Sequence, residues 1–294
     1  MDNNRQPSTV TARSVMITGA SSGIGRACAL YLDRNGWRVF AGVRKSADGE
    51  SIAKEASERL SAVIVDVTDE QSVTRAAGEI ANALGNGALD GLVNNAGIAL
   101  GGPVEFLSLA ELRRQMEVNL IGQVAVTQAL MPLLRRGPGR IVNISSVGGK
   151  VATPFLAPYN ASKYALEALS DCMRAELKPW GIIVSIVEPG AIQSTIWDKA
   201  RDLVKDVSGA LPPEGVKLYG GEIEQMSKLI GAQEKMAVPA EKVAQAVEHA
   251  LSAARPRIRY LVGADAHLMA GLRWVLPDRA HDWVMDQVMR RLAG

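Results

Sequence analysis

Short apolar runs alternate with longer amphipathic segments along most of this chain, and this alternation limits its fold more than any other feature. Strands that alternate with helices pair in parallel, and near-continuous apolar strands such as IIVSIV suit a sheet covered on both sides. We therefore predict an α/β fold, with a doubly wound parallel sheet of about seven strands and helices on both faces. The predicted strands are residues 14–18, 37–43, 62–66, 91–94, 140–145, 182–187 and 259–262, and the predicted helices are 23–35, 70–84, 109–134, 159–177 and 243–254.

The composition excludes several classes of protein. The 294 residues are 47% hydrophobic with a formal net charge of +2, which is too apolar for a disordered chain and too neutral for nucleic-acid binding. Two cysteines, Cys28 and Cys172, are too few for a disulfide framework or a four-thiolate zinc site. The histidines lack metal-ligand spacing, so we predict no metal. No apolar run reaches the ~18–20 residues of a membrane span, and a cytoplasmic protein is expected.

The chain divides into a tail and one domain in this interpretation. Residues 1–13 are polar and predicted to be a flexible tail, and 14–294 are predicted to form a single domain. Segment 191–238 is rich in glycine and proline, which indicates a turn-rich flap over a functional site. Residues 267–292 are predicted to be a helical extension that packs on the core or on a second subunit, because Pro277 divides it and acids are interspersed. An interfacial membrane helix is the alternative.

A glycine-rich turn, TGASSGIG at residues 18–25, follows the first strand and opens the first helix. Gly19 permits a sharp turn, Gly23 a close backbone approach, and Gly25 tight packing of helix on sheet. A helix N-terminus beyond such a turn offers free N–H groups to a pyrophosphate. Three such glycines also occur in ordinary strand–helix turns. The phosphate-binding interpretation therefore depends on the strand before the turn and the helix after it. The candidate phosphate-binding residues are Gly19, Ser21, Ser22, Gly23, Ile24 and Gly25.

Four motifs in order resemble those of the classical short-chain dehydrogenases/reductases. They are TGASSGIG, then Asn94-Asn95-Ala96-Gly97, then Ser146 with Tyr159-x-x-x-Lys163, and finally Pro189-Gly190. The run LKPWGIIVSIVEPG at 177–190 is similar to the branch that contains retinol and hydroxysteroid dehydrogenases. The resemblance implies a Rossmann-type fold and an oxidoreductase that uses a nicotinamide cofactor. It also implies a homodimer or homotetramer.

The resemblance assigns catalytic roles to Asn119, Ser146, Tyr159 and Lys163. Tyr159 and Lys163 are four residues apart on a predicted helix, so both side chains lie on one face. A nearby ammonium lowers the pKa of a tyrosine, which then exchanges a proton with an alcohol or ketone near neutral pH. By resemblance, Lys163 also holds the nicotinamide ribose, Ser146 binds the substrate oxygen, and Asn119 holds a water in a proton relay to Lys163.

The end of the second strand indicates the cofactor. NAD-dependent relatives carry an acid where this chain has Val43, and Arg44 and Lys45 follow. An arginine can bind a phosphate bidentately and stack on adenine, which favours NADP(H). Ser22 stands where many NADP-using relatives carry a basic residue, so NAD(H) use stays open. Arg44 and Lys45 at a solvated strand end are the alternative.

The remaining cofactor contacts are implied by the resemblance. Asp66 is expected near the adenine, although an Asx turn at a strand end is a common use of such an aspartate. Spacing favours Ser194 over Thr195 as the hydroxyl residue after the sixth strand. The complete set beyond the glycine turn and Arg44 and Lys45 is Asp66, Val67, Asn95, Ala96, Gly97, Tyr159, Lys163, Pro189, Gly190, Ile192 and Ser194.

The substrate is expected to be a hydrophobic alcohol or ketone, such as a steroid, a retinoid or a lipid. Apolar side chains cluster near the predicted site and in the flap, and such a lining suits an apolar ligand. Three alternatives stay open, namely a non-catalytic NADP-binding sensor or scaffold, an NAD-dependent alcohol dehydrogenase, and a lyase or epimerase with a retained cofactor. The predicted lining residues are Val147, Val151, Phe155, Leu156, Ile196, Trp197 and Leu203.

Overall fold

A computed structural model of the protein describes residues 12–194 and 196–293. The predicted tail at 1–13 lies almost wholly outside the described residues, as does Thr195. In the part described, the strands are β1 (Ser14–Ile17), β2 (Arg38–Val43), β3 (Leu60–Ile64), β4 (Gly91–Asn94), β5 (Arg140–Ile144), β6 (Ile183–Pro189), β7 (Ile192–Gln193), β8 (Val238–Pro239) and β9 (Arg259–Val262).

Seven of these strands form one parallel sheet in the order β3-β2-β1-β4-β5-β6-β9. The predicted α/β class and doubly wound parallel sheet are confirmed. The chain runs outward from β1 to β3 on one side, then returns to continue from β4 on the other. This reversal between β1 and β4 is a switch point, where the carboxyl ends of neighbouring strands diverge and leave room for a ligand.

Helices cover both faces of the sheet. α1 packs against α9 on one face, and α3 packs against α5 on the other. The helices are α1 (Gly23–Arg34), α2 (Ser46–Ala53), α3 (Glu70–Leu84), α4 (Leu109–Met116), α5 (Gly122–Leu134), α6 (Ala157–Leu177), α7 (Ile196–Ala210), α8 (Pro213–Met236), α9 (Ala240–Ser252), α10 (Ala264–Val275) and α11 (Asp278–Ala293).

Alternate side chains of each strand enter two separate hydrophobic cores. Val15 and Ile17 of β1 lie in the core under α1 and α9, whereas Met16 between them lies in the core under α3 and α5. Successive strand residues point to opposite faces, so a strand covered on both sides must be apolar throughout. Burial on both faces holds the strand ends, and the loops that follow them, in fixed positions.

The structure differs from the prediction in three parts of the chain. The long helix predicted at 109–134 is interrupted by one π-helical turn at Glu117–Ile121. The predicted helices omitted α2, a short helix of mixed polarity. The segment 191–238 is not turn-rich, because α7 and α8 occupy most of it. Pro213 is the first residue of α8, a position that needs no backbone N–H, and so the proline starts the helix instead of breaking it.

The segment 191–238 is anchored at both ends. β7 and β8 pair in parallel, which brings the two ends of the segment together. The predicted extension at 267–292 falls on α10 and α11, with Pro277 between them. Among the described residues, no helix is long and apolar enough to cross a membrane.

Candidate active site

One cleft of about 1080 Å³ opens at the carboxyl ends of the central strands. We call the part lined by 19–25, 42–44, 65–68 and 95–97 the glycine end, and the part lined by 153–156 and 192–233 the flap end. Of the predicted site residues, Lys45 and Asn119 are not in the lining. Those that line the cleft are Gly19, Ser21, Ser22, Gly23, Ile24, Gly25, Arg44, Asp66, Val67, Asn95, Ala96, Gly97, Ser146, Tyr159, Lys163, Pro189, Gly190, Ile192 and Ser194.

The glycine turn is packed so closely that side chains are excluded from it. Gly19 has a φ of 67°, and a Cβ there would lie 2.9 Å from the Ala96 Cα. A Cβ on Gly25 would lie 2.3 Å from the Gly19 carbonyl oxygen. Ser22 precedes α1 without a side-chain hydrogen bond to the helix, so its first N–H groups face the cleft uncapped. A helix N-terminus of this kind binds the phosphate groups of a dinucleotide.

Thr18 and Asn95 tie the ends of β1 and β4 together. The Thr18 hydroxyl oxygen accepts hydrogen bonds from the N–H groups of Asn95 and Ala96, each at 3.0 Å. The Asn95 amide nitrogen donates to the carbonyls of Thr18 at 2.9 Å and Gly19 at 3.1 Å. Thr18 was not among the predicted site residues, although a hydroxyl between a buried strand and a glycine turn is a signal that could have found it.

Arg44 and Asp66 lie at the outer rim of the glycine end. Asp66 Oδ1 accepts from the N–H of Thr68 at 3.0 Å and from its hydroxyl at 2.7 Å. These bonds hold the pKa of Asp66 below its usual value, and the charge of Arg44 adds to the effect. The Asx turn that the sequence offered as an alternative is therefore present, in a residue that also lines the cleft. Arg44 is exposed and lines the cleft, whereas Lys45 directly precedes α2 and lies outside the cleft.

Ser146, Tyr159 and Lys163 meet in the middle of the cleft. Ser146 follows β5, and its hydroxyl oxygen accepts from the Gly148 N–H at 3.0 Å and donates to the Pro189 carbonyl at 3.4 Å. Tyr159 and Lys163 are one turn apart on α6, and the Lys163 Nζ lies 5.8 Å from the centre of the Tyr159 ring. The ammonium donates to the Ile144 carbonyl at 2.8 Å. The structure thus brings the three predicted catalytic side chains together from two separate elements.

Burial shifts the proton affinities of Tyr159 and Lys163 in opposite directions. Removal from water raises the pKa of Tyr159, and the hydrogen bond with Ser146 partly opposes this. Burial lowers the pKa of Lys163 to about 8, while the negative charge of Glu167 acts to raise it. The expectation that the Lys163 ammonium lowers the pKa of Tyr159 is therefore wrong for this structure, because burial of the tyrosine dominates. Lys163 itself stays largely protonated at neutral pH.

Asn119 is fully buried and touches the cleft only through the backbone of another residue. Its side chain accepts from the Ile98 N–H at 2.9 Å and donates to the Ile98 carbonyl at 3.0 Å. Gln115, one turn earlier, binds the Ile98 carbonyl at 2.8 Å and the Leu100 N–H at 2.7 Å. Gln123, one turn later, donates to the Ala96 carbonyl at 3.0 Å. We call these three side chains the amide ladder, and it holds the extended segment 96–100 that lines the cleft.

The π-helical turn at Glu117–Ile121 positions the central side chain of the amide ladder. It places Asn119 at full burial with both amide atoms on the backbone of Ile98. Single π turns inside α-helices are frequent at functional sites. The sequence pointed to Asn119 through a motif, but Gln115 and Gln123 were missed. Their spacing of four residues on either side of Asn119 was the available signal.

The flap end is apolar. Trp197 is fixed there by a hydrogen bond from its ring N–H to the Ile192 carbonyl at 2.9 Å. Of the predicted lining residues, Phe155, Leu156, Trp197 and Leu203 line the cleft and Val147 and Val151 lie outside it. The side chain of Ile196, also predicted there, lies outside the described part of the structure. The apolar side chains that line it include Ala99, Leu100, Phe155, Leu156, Trp197, Leu203, Val204, Val207, Ile223, Met226 and Ile230.

Three aromatic rings connect α8 to the loops on the opposite side of the flap end. The ring of Tyr219 packs edge-on against Phe106 at 6.0 Å and Phe155 at 6.2 Å between centres. The Tyr219 hydroxyl donates to Glu105 at 2.8 Å. We call Phe106, Phe155 and Tyr219 the aromatic latch. No group of histidine, cysteine and acidic side chains suited to a metal ion occurs among the described residues.

Comparisons with known proteins identify the family of the chain. The family model "short chain dehydrogenase" matches residues 13–204. The chain is 35% identical to NADPH-dependent 3-dehydrocapnine reductase of Ornithobacterium rhinotracheale, covering 95% of this chain and 98% of the relative. It is 38% identical to human retinol dehydrogenase 5, covering 94% and 93%. A solved structure of actinorhodin polyketide ketoreductase with NADPH superposes with a TM-score of 0.72 at 27% identity, covering 87% and 97%.

The two relatives span nearly the whole chain, and the named reductases support NADP(H) as its cofactor. The retinol dehydrogenase match supports the expected branch of the family. The chain belongs to the short-chain dehydrogenase/reductase family, and it is an NAD(P)-dependent oxidoreductase that acts on alcohols and ketones.

Proposed function

We propose that this protein transfers hydride between NADP(H) and the carbonyl or secondary alcohol of a hydrophobic small molecule, with Tyr159 as the general acid and base. The observation that carries the proposal is the position of Ser146, Tyr159 and Lys163 in the lining between the glycine end and the flap end. A ligand that fills both ends has its reacting atoms beside these side chains.

The glycine end fits a dinucleotide. Its tight turn excludes side chains, the first N–H groups of α1 are uncapped, and Arg44 adds a positive charge at the rim. The uncapped N–H groups would hold the pyrophosphate, and Asp66 and Asn95 would flank the adenosine. When bound, the nicotinamide supplies or accepts the hydride.

Each catalytic side chain has a separate task. Ser146 donates a hydrogen bond to the substrate oxygen and orients it, for which its weak 3.4 Å bond to Pro189 is readily exchanged. In reduction, Tyr159 gives its hydroxyl proton to the oxygen of the new alcohol, and in oxidation it takes that proton back. Positive charge on Lys163 stabilises the phenolate that reduction leaves behind.

Arg44 supports a preference for NADP(H). A guanidinium at the rim can pair bidentately with the additional phosphate of NADP(H), and within the described residues Arg44 forms no salt bridge that would compete for it. Ser22 adds no second charge, so weaker use of NAD(H) is expected. The ratio of kcat/KM with NADPH to kcat/KM with NADH measures the size of this preference.

The apolar lining from α7 and α8 supports a steroid-, retinoid- or lipid-like substrate. A surface of leucine, valine, isoleucine and tryptophan side chains gains free energy from apolar contact and offers few partners to a polar ligand. A homodimer or homotetramer and a cytoplasmic location stay predictions from the sequence.

The proposal is tested by following nicotinamide absorbance with NADPH and then NADH against a panel of hydrophobic ketones. Wild type is compared with Tyr159→Phe, which keeps the ring and removes the proton. We expect turnover by wild type, a higher kcat/KM with NADPH, and a loss of about 10²–10⁴-fold in the variant. Tight NADPH binding without turnover of any ketone would instead favour a sensor or scaffold. Interconversion of substrates without net oxidation of NADPH would favour a lyase or epimerase.

A further inference from the structure

A group of four charges, two buried carboxylates and two partly exposed cations, lies directly behind the catalytic residues. Glu167 of α6 and Glu188 of β6 are faced by Lys150, which follows the turn after Ser146, and by Arg259 of β9. We call these four residues the glutamate cluster. Two of them, Glu167 on α6 and Glu188 on β6, belong to elements that also carry cleft residues, and the cluster itself is absent from the cleft lining.

The contacts within the cluster are close. Lys150 Nζ lies 3.3 Å from Glu188 and 3.9 Å from Glu167. Arg259 Nε lies 3.1 Å from Glu167 and 3.2 Å from Glu188. Both cations therefore bridge both carboxylates, so a change in the charge of one member is felt by all four.

Glu188 is the least solvated member. Its side chain is 1% exposed, and both of its carboxylate oxygens lack a hydrogen bond among the described residues. Burial, with the charge of Glu167, raises the pKa of Glu188 to about 7 against the opposing charges of Lys150 and Arg259. The cluster therefore exchanges a proton close to neutral pH.

The cluster adjoins the catalytic residues on two sides. Glu167 follows Lys163 by one helical turn, on the same face of α6, and its charge acts on the Lys163 ammonium. Glu188 immediately precedes Pro189, whose carbonyl accepts the Ser146 hydroxyl. A buried charge within one turn of an ammonium acts through little water and is weakly screened.

The other charged or titratable groups around the cluster are few among the described residues. Asp171, a turn beyond Glu167, pairs with Arg259 at 2.7 Å and with Arg174 at 3.1 Å, and it is 42% exposed. The Tyr164 hydroxyl donates to the Lys150 backbone carbonyl. Lys163 and Tyr159 lie toward the cleft. When both glutamates are ionised, their charges cancel those of Lys150 and Arg259.

We propose that Glu167 is a positioning residue whose negative charge favours the protonated form of Lys163 one turn away on α6, and that Glu188 modulates it through the cations that both glutamates share, Lys150 and Arg259. The inference rests on the proposed function for its consequence, which is the pH range of catalysis. Protonation of Glu188 leaves the cluster with one excess positive charge, which disfavours the Lys163 ammonium. As pH rises, ionisation of Glu188 removes that excess and opposes the loss of the Lys163 proton. The active form of the enzyme thereby persists to higher pH than burial of Lys163 alone would allow.

The experiment reads the charge of Lys163 directly. Acetic anhydride acetylates only the neutral amine, so the labelling rate of Lys163, measured by mass spectrometry across pH, gives its pKa without any turnover. We expect Glu167→Gln to move this titration to lower pH by about one unit, and Glu188→Gln by about half a unit. The alkaline limb of the rate of ketone reduction is expected to move by the same amounts.

Two further variants separate charge from structural damage. Lys150→Gln removes a positive charge from the same cluster, so the Lys163 titration is expected to move to higher pH. Asp171→Asn is the matched control, since it removes an exposed partner of Arg259, and no shift is expected. Glu188→Asp keeps the charge and is expected to restore most of the wild-type titration. Thermal unfolding and NADPH binding show which variants are folded.

The outcomes are distinct. An unmoved titration in folded Glu167→Gln, or a shift in the same direction for Lys150→Gln, would overturn the inference. Shifts of opposite sign in a protein that reduces no ketone would support the role of the glutamate cluster while contradicting the proposed function.

Discussion

The glycine end of the cleft is built from backbone, whereas the flap end is built from side chains. At the glycine end, Thr18 and Asn95 join two strand ends through main-chain atoms, and Gly25 leaves no space for even one methyl group. At the flap end, helices α7 and α8 present apolar side chains that the aromatic latch holds against two loops. A backbone site tolerates few residue types, while an apolar wall accepts many combinations of similar volume. The two ends are therefore expected to respond differently to equal changes.

The largest effect is expected from Gly25→Val. Its side chain would collide with the Gly19 carbonyl and the Asn95 amide, and the turn would have to open. We expect NADPH affinity to fall by more than about 100-fold, and the free energy of unfolding to drop by about 1–3 kcal/mol, as overpacked sites show. Isothermal titration calorimetry and urea unfolding measure the two quantities. Binding within a factor of three of wild type would contradict the close packing of this turn.

The next largest effect is expected from Arg44→Asp at the rim of the glycine end. The exposed side chain carries no stability role that the structure shows, so folding should be unchanged. Replacing a phosphate partner by a like charge should lower kcat/KM with NADPH by about 10–100-fold. This corresponds to a loss of about 1.4–2.8 kcal/mol of binding free energy, since a tenfold change equals about 1.4 kcal/mol. The rate with NADH is expected to hold or rise. A variant with an unchanged NADPH-to-NADH ratio would remove Arg44 from cofactor choice, with Lys45→Asp as the control outside the cleft.

Tyr219→Ala tests the flap end and should act on substrate alone. It removes the shared ring of the aromatic latch and the hydrogen bond to Glu105. We expect KM for large apolar ketones to rise by about 3–10-fold, the range set by the loss of about 1 kcal/mol of aromatic contact, with NADPH affinity unchanged. Tyr219→Phe keeps the ring packing and separates the contribution of the hydroxyl. An equal loss of NADPH affinity would show that the two ends are not independent.

The smallest effect is expected from Gly221→Ala in α8. A Cβ there meets no atom within 4 Å, in contrast to Gly25. Alanine is preferred over glycine inside a helix by about 0.5–1 kcal/mol, so the variant should be slightly more stable than wild type. The shift in thermal midpoint checks this, and activity should not change. Destabilisation would contradict the open space that the structure shows around this position.

The same contrast explains what could be predicted from the sequence. The glycine turn and the pair of Tyr159 and Lys163 are local patterns, in which geometry requires particular residue types a few positions apart. The helices of the flap were missed because Gly220 and Gly221 weaken the helical pattern and Pro212 reads as a turn. Tertiary contacts with the rest of the domain outweigh these weak local preferences.

The glutamate cluster shows a second limit of sequence reasoning. Glu167 and Arg259 are 92 residues apart in the chain, and neither carries a local pattern that indicates burial. Only the sheet order, which sets β9 beside β6, brings Arg259 to Glu188. A prediction of that contact would have required the correct strand order and the correct register at once.

The amide ladder has a further consequence for how the cleft keeps its shape. A carboxamide both donates and accepts, so Asn119 and Gln115 each recognise the direction of the chain that they bind as well as its position. If segment 96–100 slid by one residue, the N–H and C=O groups of the neighbouring residues would point away from the ladder, and the buried amides would lose their partners. The amide ladder therefore holds this wall of the cleft in one register.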